Sequence, residues 1–180
     1  ESRAFGNETD YLKSGNACSF LGGLLQTFVP GVEAQLISIA TVARESARWG
    51  DEEGLLLPDP QTLGIRTTEH LLYQTTSQLA VHQDFESVYT VVISLSNPED
   101  YQGGEFRLTS INPKFKPERL TAIVFRSNFT EHGIEPILSG RRETFATEFW
   151  ESMDVPAGWN RPGLQYFEDY LKEKEYDTEL

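Results

Sequence analysis

Two histidines and one aspartate are the residues of this sequence whose types and spacing suit a metal ion. His82 and Asp84 are two positions apart, and His132 follows fifty residues after His82. Residues i and i+2 of an extended segment project from the same face, so His82 and Asp84 can point into one cavity. Two imidazoles and one carboxylate bind one face of an octahedral Fe(II) and leave three positions open. The pattern predicts an iron site, whereas His70 has no partner at ligand spacing and is predicted to be structural.

An arginine ten residues beyond His132 could bind an anion beside this metal. Arg142 stands in the frame His-x9-Arg, two residues after Gly140. A guanidinium binds a carboxylate through two parallel hydrogen bonds, so Arg142 could hold the far carboxylate of a dicarboxylate. Strand alternation points only one of Arg141 and Arg142 inward, and the Gly-x-Arg frame favours Arg142.

Short strands are predicted to position these residues. Six segments after residue 60 are rich in β-branched or aromatic residues, with turn sequences between them. They are Ile65–Tyr73, Leu79–His82, Tyr89–Leu95, Glu105–Leu108, Thr121–Phe125 and Thr144–Phe149. The pattern predicts a mainly β fold, a β-sandwich or jelly roll with helical buttresses.

Helices are predicted on both sides of this β region. Pro30 suits the first turn of a helix that Gly50 ends. Its apolar face consists of Val32, Leu36, Ile39, Ala43 and Ala47. A second amphipathic helix is predicted at about Leu164–Lys174. We expect one domain over 1–180: an arm and supporting helix at 1–60, with a short apolar helix near Phe20–Phe28, a β core at 61–150 and a helical tail at 151–180.

Composition argues against several classes of function. The 180 residues include 15 basic and 28 acidic ones, a net charge of -13, which opposes binding to nucleic-acid phosphates. No stretch approaches the roughly 18 apolar residues of a membrane-spanning helix. The single cysteine, Cys18, excludes an internal disulfide and a cysteine-rich zinc site. The negative charge favours a neutral or basic peptide as substrate over a polyanion.

The stretch from Arg66 to Trp150 resembles the catalytic core of the prolyl and lysyl hydroxylase group of 2-oxoglutarate- and Fe(II)-dependent dioxygenases. The resemblance rests on His-Gln-Asp at 82–84 with the strand up to Asn97, on the Gly-Gly turn at 100–106, and on the segment 132–142. The spacing from His132 through Pro136 to Arg142 is most similar to the procollagen lysyl hydroxylase branch. The collagen prolyl branch is expected to have a lysine in place of Arg142.

The resemblance implies a double-stranded β-helix fold in which His82, Asp84 and His132 are the iron ligands. It further implies that Arg142 is the 2-oxoglutarate clamp and that Tyr73, nine residues before His82, also contacts the cosubstrate. Phe106 is a departure, because some prolyl hydroxylases have a polar residue there. The rest of the cosubstrate pocket is therefore expected to differ from theirs.

The implied reaction is the hydroxylation of a prolyl or lysyl side chain, with release of succinate and CO₂. The implied cofactors are Fe(II), 2-oxoglutarate and O₂, with ascorbate as an accessory reductant. A protein or peptide substrate is favoured over a small molecule, and nucleic acid is disfavoured. An alkylation-repair dioxygenase would have an arginine six residues after the clamp, where Glu148 stands. A scaffold protein that keeps the fold without turnover is the main alternative, while the His-x-Asp spacing opposes a cupin.

The termini give a further hint about the compartment. The chain starts at Glu1 without a methionine, and its last four residues, Asp-Thr-Glu-Leu, resemble an endoplasmic reticulum retrieval tail. Asn7 and Asn128 each begin a glycosylation tripeptide. These features favour the secretory pathway or the endoplasmic reticulum lumen, with the cytoplasm or another organelle as alternatives. The sequence leaves the exact substrate and the oligomeric state open.

Overall fold

A computed structural model describes residues 16–21, 25, 28–29, 31–49, 57–111 and 114–151. Pro30, Gly50 and the predicted C-terminal helix at Leu164–Lys174 lie outside these residues, as does most of the short helix predicted near Phe20–Phe28. No helix in the described ranges is both long and apolar enough to cross a membrane.

The described residues form ten strands and one α-helix, α1, at Val32–Ser46. The strands are β1 Asn16–Phe20, β2 Gly64–Tyr73, β3 Leu79–His82, β4 Tyr89–Ser94, β5 Tyr101–Gly103, β6 Phe106–Leu108, β7 Ala122–Arg126, β8 His132–Ile134, β9 Ile137–Gly140 and β10 Arg142–Trp150. Short 3-10 helices lie at Pro60–Thr62, Pro98–Asp100 and Ser127–Phe129. The predicted mainly β fold, a double-stranded β-helix with a flanking N-terminal helix, is confirmed.

All the strand pairs are antiparallel, and the largest sheet has the order β1-β2-β10-β4-β7. A three-stranded sheet has the order β3-β8-β6, and β5 pairs with β9. Neighbouring β4 residues show the two faces of the large sheet, because successive side chains on a strand alternate. Val91 packs in a cluster with Leu36 and Ala40 of α1, whereas Val92 packs in a second cluster with Phe106 and Ile134 of the three-stranded sheet. The site residues lie on this second, inner face.

The six predicted strands are all present, with ends shifted by up to two residues. Four further strands were not predicted: β1, β5, β8 and β9. Each has only three to five residues. β1 falls where we expected an irregular arm, yet it pairs with β2 from Asn16 opposite Tyr73 to Phe20 opposite Glu69. The large sheet therefore extends into the region predicted to be an arm.

Gly140 closes the turn that leads from β9 into β10. Its φ of 83° lies in the left-handed region, and a Cβ there would overlap the backbone carbonyl oxygen of Asp100. Gly31 also has a positive φ, of 97°, but a Cβ there would meet nothing within 4 Å. An alanine at Gly31 would therefore meet only the strained φ, whereas an alanine at Gly140 would meet both the strained φ and a backbone clash.

We expect Gly140→Ala to lower the free energy of unfolding by about 3 kcal/mol, because the strained φ and the clash with Asp100 add. Gly31→Ala, with the strained φ alone, should cost about 1 kcal/mol. Guanidinium denaturation followed by tryptophan fluorescence measures both. Equal losses in the two variants would contradict the close approach at Gly140.

Candidate metal and cosubstrate site

The pairing of β3 with β8 brings the three predicted metal ligands together. His82, at the end of β3, is the register partner of His132, at the start of β8. Their ring centroids are 4.3 Å apart. Asp84 follows β3, with one carboxylate oxygen 3.4 Å from His82 Nε2 and the other 3.7 Å from His132 Nε2. One potential ligand atom from each of the three residues lies within 4.8 Å of the other two. The three residues therefore form a group that could hold a metal ion.

Backbone carbonyls orient both imidazoles. His82 Nδ1 lies 2.9 Å from the carbonyl oxygen of Ala80, and His132 Nδ1 lies 3.3 Å from that of Thr130. A neutral imidazole that donates its Nδ1–H to a carbonyl keeps a lone pair on Nε2, the nitrogen that faces Asp84. In their neutral form both histidines can therefore present Nε2 to a metal, whereas protonated His82 donates a hydrogen bond to Asp84; the donor set of two imidazoles and one carboxylate fits Fe(II).

The carboxylate of Asp84 is held from its other side by a chain of hydroxyls. Thr90 Oγ1 donates to Asp84 Oδ2 over 2.6 Å and lies 2.8 Å from Ser127 Oγ. Burial raises the pKa of Asp84, but hydrogen bonds from His82 and Thr90 and the nearby His132 outweigh it, so the pKa lies below its usual 3.8. Asp84 is therefore a carboxylate across the physiological range.

The pKa values of the two histidines are shifted in opposite directions. Burial lowers the pKa of His132 below its usual 6.5, and the charge of Asp84 does not fully offset this effect. Burial also lowers the pKa of His82, but its hydrogen bonds to Asp84 and to the Ala80 carbonyl outweigh burial, so the net shift is upward from 6.5. The His132 ring also packs against the rings of Phe106 and Phe125, at centroid distances of 6.1 and 4.5 Å.

The three predicted ligands line a cavity of about 270 Å³ that is also lined by Arg142. The Arg142 side chain is fully buried. Its Nη1 donates to Thr144 Oγ1 over 2.7 Å, and its guanidinium carbon lies 5.2 Å from the centroid of the Tyr73 ring. Its Nε and Nη2 have no hydrogen-bond partner of good geometry among the described residues, although the guanidinium lies near the Tyr101 phenol and offsets part of the rise that burial causes in the pKa of Tyr101. A buried cation with two free donors fits a carboxylate, as 2-oxoglutarate would provide.

Two candidates that the sequence analysis set aside, Arg141 and His70, lie outside the cavity. Arg141 is exposed, and its Nε lies 3.0 Å from a carboxylate oxygen of Glu143. His70 Nε2 lies 2.9 Å from the other carboxylate oxygen of Glu143. Neither Arg141 nor His70 lines the cavity, whereas Tyr73 and Phe106 do. The predicted site residues therefore share one cavity, and their roles as ligands and clamp stay predictions.

The neighbouring strands β2 and β10 of the large sheet form one wall of this cavity, and their register sets which of its side chains lie side by side. Tyr73 lies opposite Arg142, Glu69 opposite Ala146 and Thr67 opposite Glu148. Sequence reasoning did not identify Glu69, Thr67 or Thr90 as site residues. The alternation of Thr67, Glu69, Leu71 and Tyr73 along one strand is the signal that could have revealed them, since Tyr73 was already predicted to face the cosubstrate.

We expect Thr90→Val to weaken Mn(II) binding roughly 10-fold, because Asp84 loses the hydrogen bond that orients it. Isothermal titration calorimetry measures this affinity. Thr147→Val is the matched control: Thr147 is also a fully buried threonine of the large sheet, and its hydroxyl has no hydrogen-bond partner among the described residues. Equal affinities in the two variants would show that the Thr90 hydroxyl does not support the ligand.

Mn(II) affinity should fall as the pH falls through the raised pKa of His82. The metal needs a neutral imidazole, so below that pKa a proton must leave His82, and the affinity drops about tenfold per pH unit. His132, with its lowered pKa, and the ionised Asp84 add little over the same range. Titrations between about pH 6 and pH 8 in several buffers also measure the released proton. An affinity that does not change over this range would contradict the upward shift of His82.

Comparison with known proteins gives a family match and several similar folds. Residues 68–150 match the model of the 2OG-Fe(II) oxygenase superfamily. In sequence, no curated protein matches the chain. Among solved structures, a prolyl-4-hydroxylase from Pseudomonas putida has a TM-score of 0.55 at 15% identity, over 75% of this chain and 68% of that chain.

Two further prolyl hydroxylases share the fold. The viral collagen prolyl hydroxylase from Paramecium Bursaria Chlorella virus-1, in its 2OG complex, has a TM-score of 0.53 at 17% identity, over 78% of this chain and 82% of that one. The prolyl hydroxylase from Trichoplax adhaerens has a TM-score of 0.51 at 19% identity, over 76% of this chain and 63% of that chain. Its structure is a complex with a hypoxia inducible factor oxygen degradation domain peptide fragment. Some similar structures are longer, since the chain spans only 60% and 63% of two of them.

The superfamily uses Fe(II), 2-oxoglutarate and O₂, and the His-Asp-His group fits its iron. The predicted enzyme class and the predicted match of the β core to this superfamily are confirmed, and similarity to the lysyl hydroxylase branch stays a prediction. The segment 68–150, 83 of the 180 residues, thus matches the 2OG-Fe(II) oxygenase superfamily, and this match together with the His-Asp-His donor set supports a 2-oxoglutarate-dependent oxygenase.

Proposed function

We propose that this protein hydroxylates a prolyl or lysyl side chain of a protein or peptide, using Fe(II), 2-oxoglutarate and O₂. One oxygen atom of O₂ enters the substrate C–H bond as hydroxyl, and the other enters succinate as 2-oxoglutarate loses CO₂. The observation that carries the proposal is the buried Arg142 guanidinium, with two unused donors, in the same cavity as the His-Asp-His group.

Each residue has a defined task in this proposal. His82, Asp84 and His132 would hold Fe(II) by two nitrogens and one oxygen, and the metal would supply the activation of O₂. Arg142 would bind the far carboxylate of 2-oxoglutarate, and the ring of Tyr73 would keep that end of the cavity dry. Phe106 and Phe125 restrict the motion of His132 and exclude water from its buried side.

A peptide substrate is supported by one of the similar structures. The prolyl hydroxylase from Trichoplax adhaerens was determined with a peptide fragment bound. The open side of the present cavity, beside the exposed edge of the His82 ring, would admit a side chain from such a peptide. The exposed fraction of the His82 side chain is 37%, against 6% for His132.

The site can be tested without a known substrate. Anaerobic addition of Fe(II) and then 2-oxoglutarate to metal-free protein should produce the weak visible charge-transfer band of the chelate. We expect Arg142→Ala to raise the 2-oxoglutarate concentration for half-saturation on the order of 100-fold, because a buried charged partner is lost. Arg141→Ala, the matched control at the exposed neighbour, should change it by no more than about twofold.

His132→Ala should abolish the band while circular dichroism shows a folded protein. No band in folded wild-type protein would instead favour a scaffold that keeps the fold without turnover. If Arg141→Ala had the larger effect, Arg142 would not be the clamp.

A further inference from the structure

The end of the cavity away from Arg142 carries a carboxylate that the proposed reaction does not use. Glu69 points into the cavity from β2, four residues before Tyr73, and Glu148 points into it from β10, six residues after Arg142. The metal site lies at this same end. Glu148 is the register partner of Thr90 on β4, and Thr90 donates to the ligand Asp84.

The two carboxylates differ in their partners. Glu148 accepts from Arg66 Nη1 over 2.6 Å and from Ser87 Oγ over 2.5 Å. The hydrogen bonds of Glu69 within the described residues are to neutral groups, the Thr67 hydroxyl at 3.3 Å and the Cys18 thiol. No lysine, arginine or histidine of the described residues forms an ion pair with Glu69. Glu148 is therefore compensated by the protein, and Glu69 is not.

If the charges are counted with Fe(II) and 2-oxoglutarate bound in the cavity, Glu69 is again the residue whose charge is not balanced. The two charges of Fe(II) and the one of Arg142 balance those of Asp84 and of 2-oxoglutarate, a dianion. Arg66 balances Glu148. In the metal-free cavity, burial, followed by the charges of Glu148 and Asp84, raises the pKa of Glu69 to about 7; burial also raises the pKa of Glu148, where Arg66 offsets part of the effect, whereas no cation offsets it at Glu69. A cationic group in the cavity would restore the ionised form.

On the basis of the function proposed above, we infer that Glu69 selects a substrate whose side chain carries a cationic head, an ammonium or a guanidinium, beside the carbon that is hydroxylated. A cation that enters this cavity loses its water, and Glu69 replaces that water with a charged hydrogen bond. A prolyl ring, which has no charge, would leave Glu69 buried with neutral partners only. The inference thus favours the lysyl over the prolyl alternative and adds arginyl side chains as candidates.

The first test measures binding and does not depend on turnover. Ligand-observed NMR on the full chain loaded with Zn(II) and 2-oxoglutarate compares n-butylammonium, n-propylguanidinium and the neutral 1-butanol. We expect at least one cation to bind more tightly than 1-butanol, and Glu69→Gln to weaken that cation about tenfold. The preferred cation tells lysyl from arginyl recognition. Glu118→Gln removes the same charge from an exposed position outside the cavity and should leave binding unchanged.

The second test uses degenerate peptide pools with lysine, arginine, proline or norleucine fixed at the centre. Succinate formation above the peptide-free rate should be greatest with a cationic pool, and Glu69→Gln should remove that preference. Stimulation by the proline pool that Glu69→Gln leaves intact would overturn the inference. If no pool stimulates turnover, the binding test decides: equal binding of the cation and 1-butanol, or equal cation binding by wild type and Glu69→Gln, also overturns it.

These outcomes are distinct from a failure of the proposed function. That failure appears as the absence of the Fe(II)–2-oxoglutarate band in wild-type protein. The failure of the present inference leaves the band intact in wild type and in Glu69→Gln, while the cation preference is missing.

Discussion

The site depends on the position of β10 between β2 and β4. Its pairing with β2 places Arg142 opposite Tyr73, and its pairing with β4 places Glu148 opposite Thr90. Because side chains alternate along a strand, a shift of one residue would turn Arg141 and Glu143 into the cavity in place of Arg142 and its inward neighbours. The register of β10 thus determines the positions of Arg142, of Glu148 and of the Thr90 hydroxyl that supports Asp84 relative to one another.

The fold stabilises this register with apolar residues on both faces of the large sheet. Val91 and Phe149 pack towards α1, and Val92 packs towards the three-stranded sheet. This packing is what allows the protein to hold Arg142 fully buried although two of its nitrogens lack partners. Burying a cation without a full set of partners costs several kcal/mol of folding free energy. The ligand-free site therefore lowers the stability of the protein. An anionic ligand would return part of that energy.

The sequence predicted the parts of the fold that its local pattern determines. Strands with runs of β-branched residues, such as Tyr89–Ser94, are visible because such runs form few other structures. β5, β8 and β9 have three or four residues each, and their existence depends on partners elsewhere in the chain. β1 was missed because its segment lies among glycines and because its partner residues in β2 are 49 to 57 positions further along the chain.

The same distinction holds for the site. The spacing of His82 and Asp84 was sufficient to predict that they point into one cavity, because residues i and i+2 of an extended segment share a face; His132 was added because two imidazoles and one carboxylate complete an Fe(II) donor set. Thr90 and Glu69 belong to common residue types without a diagnostic spacing. Their place in the cavity follows only from the register of β2, β10 and β4. A residue of this kind becomes predictable once one cavity-facing residue on its strand is known.

The distribution of charge along the cavity has a consequence for the orientation of its ligands. Arg142 is at one end, and Asp84, Glu69 and Glu148 are at the other. A dianion such as 2-oxoglutarate is repelled from the acidic end until a divalent metal is bound there, since like charges interact strongly where water is excluded. In the proposed function, its far carboxylate would be directed to Arg142, and its chelating end would approach Asp84 once a metal is held there. The placement of these side chains therefore favours the binding of the metal before the cosubstrate.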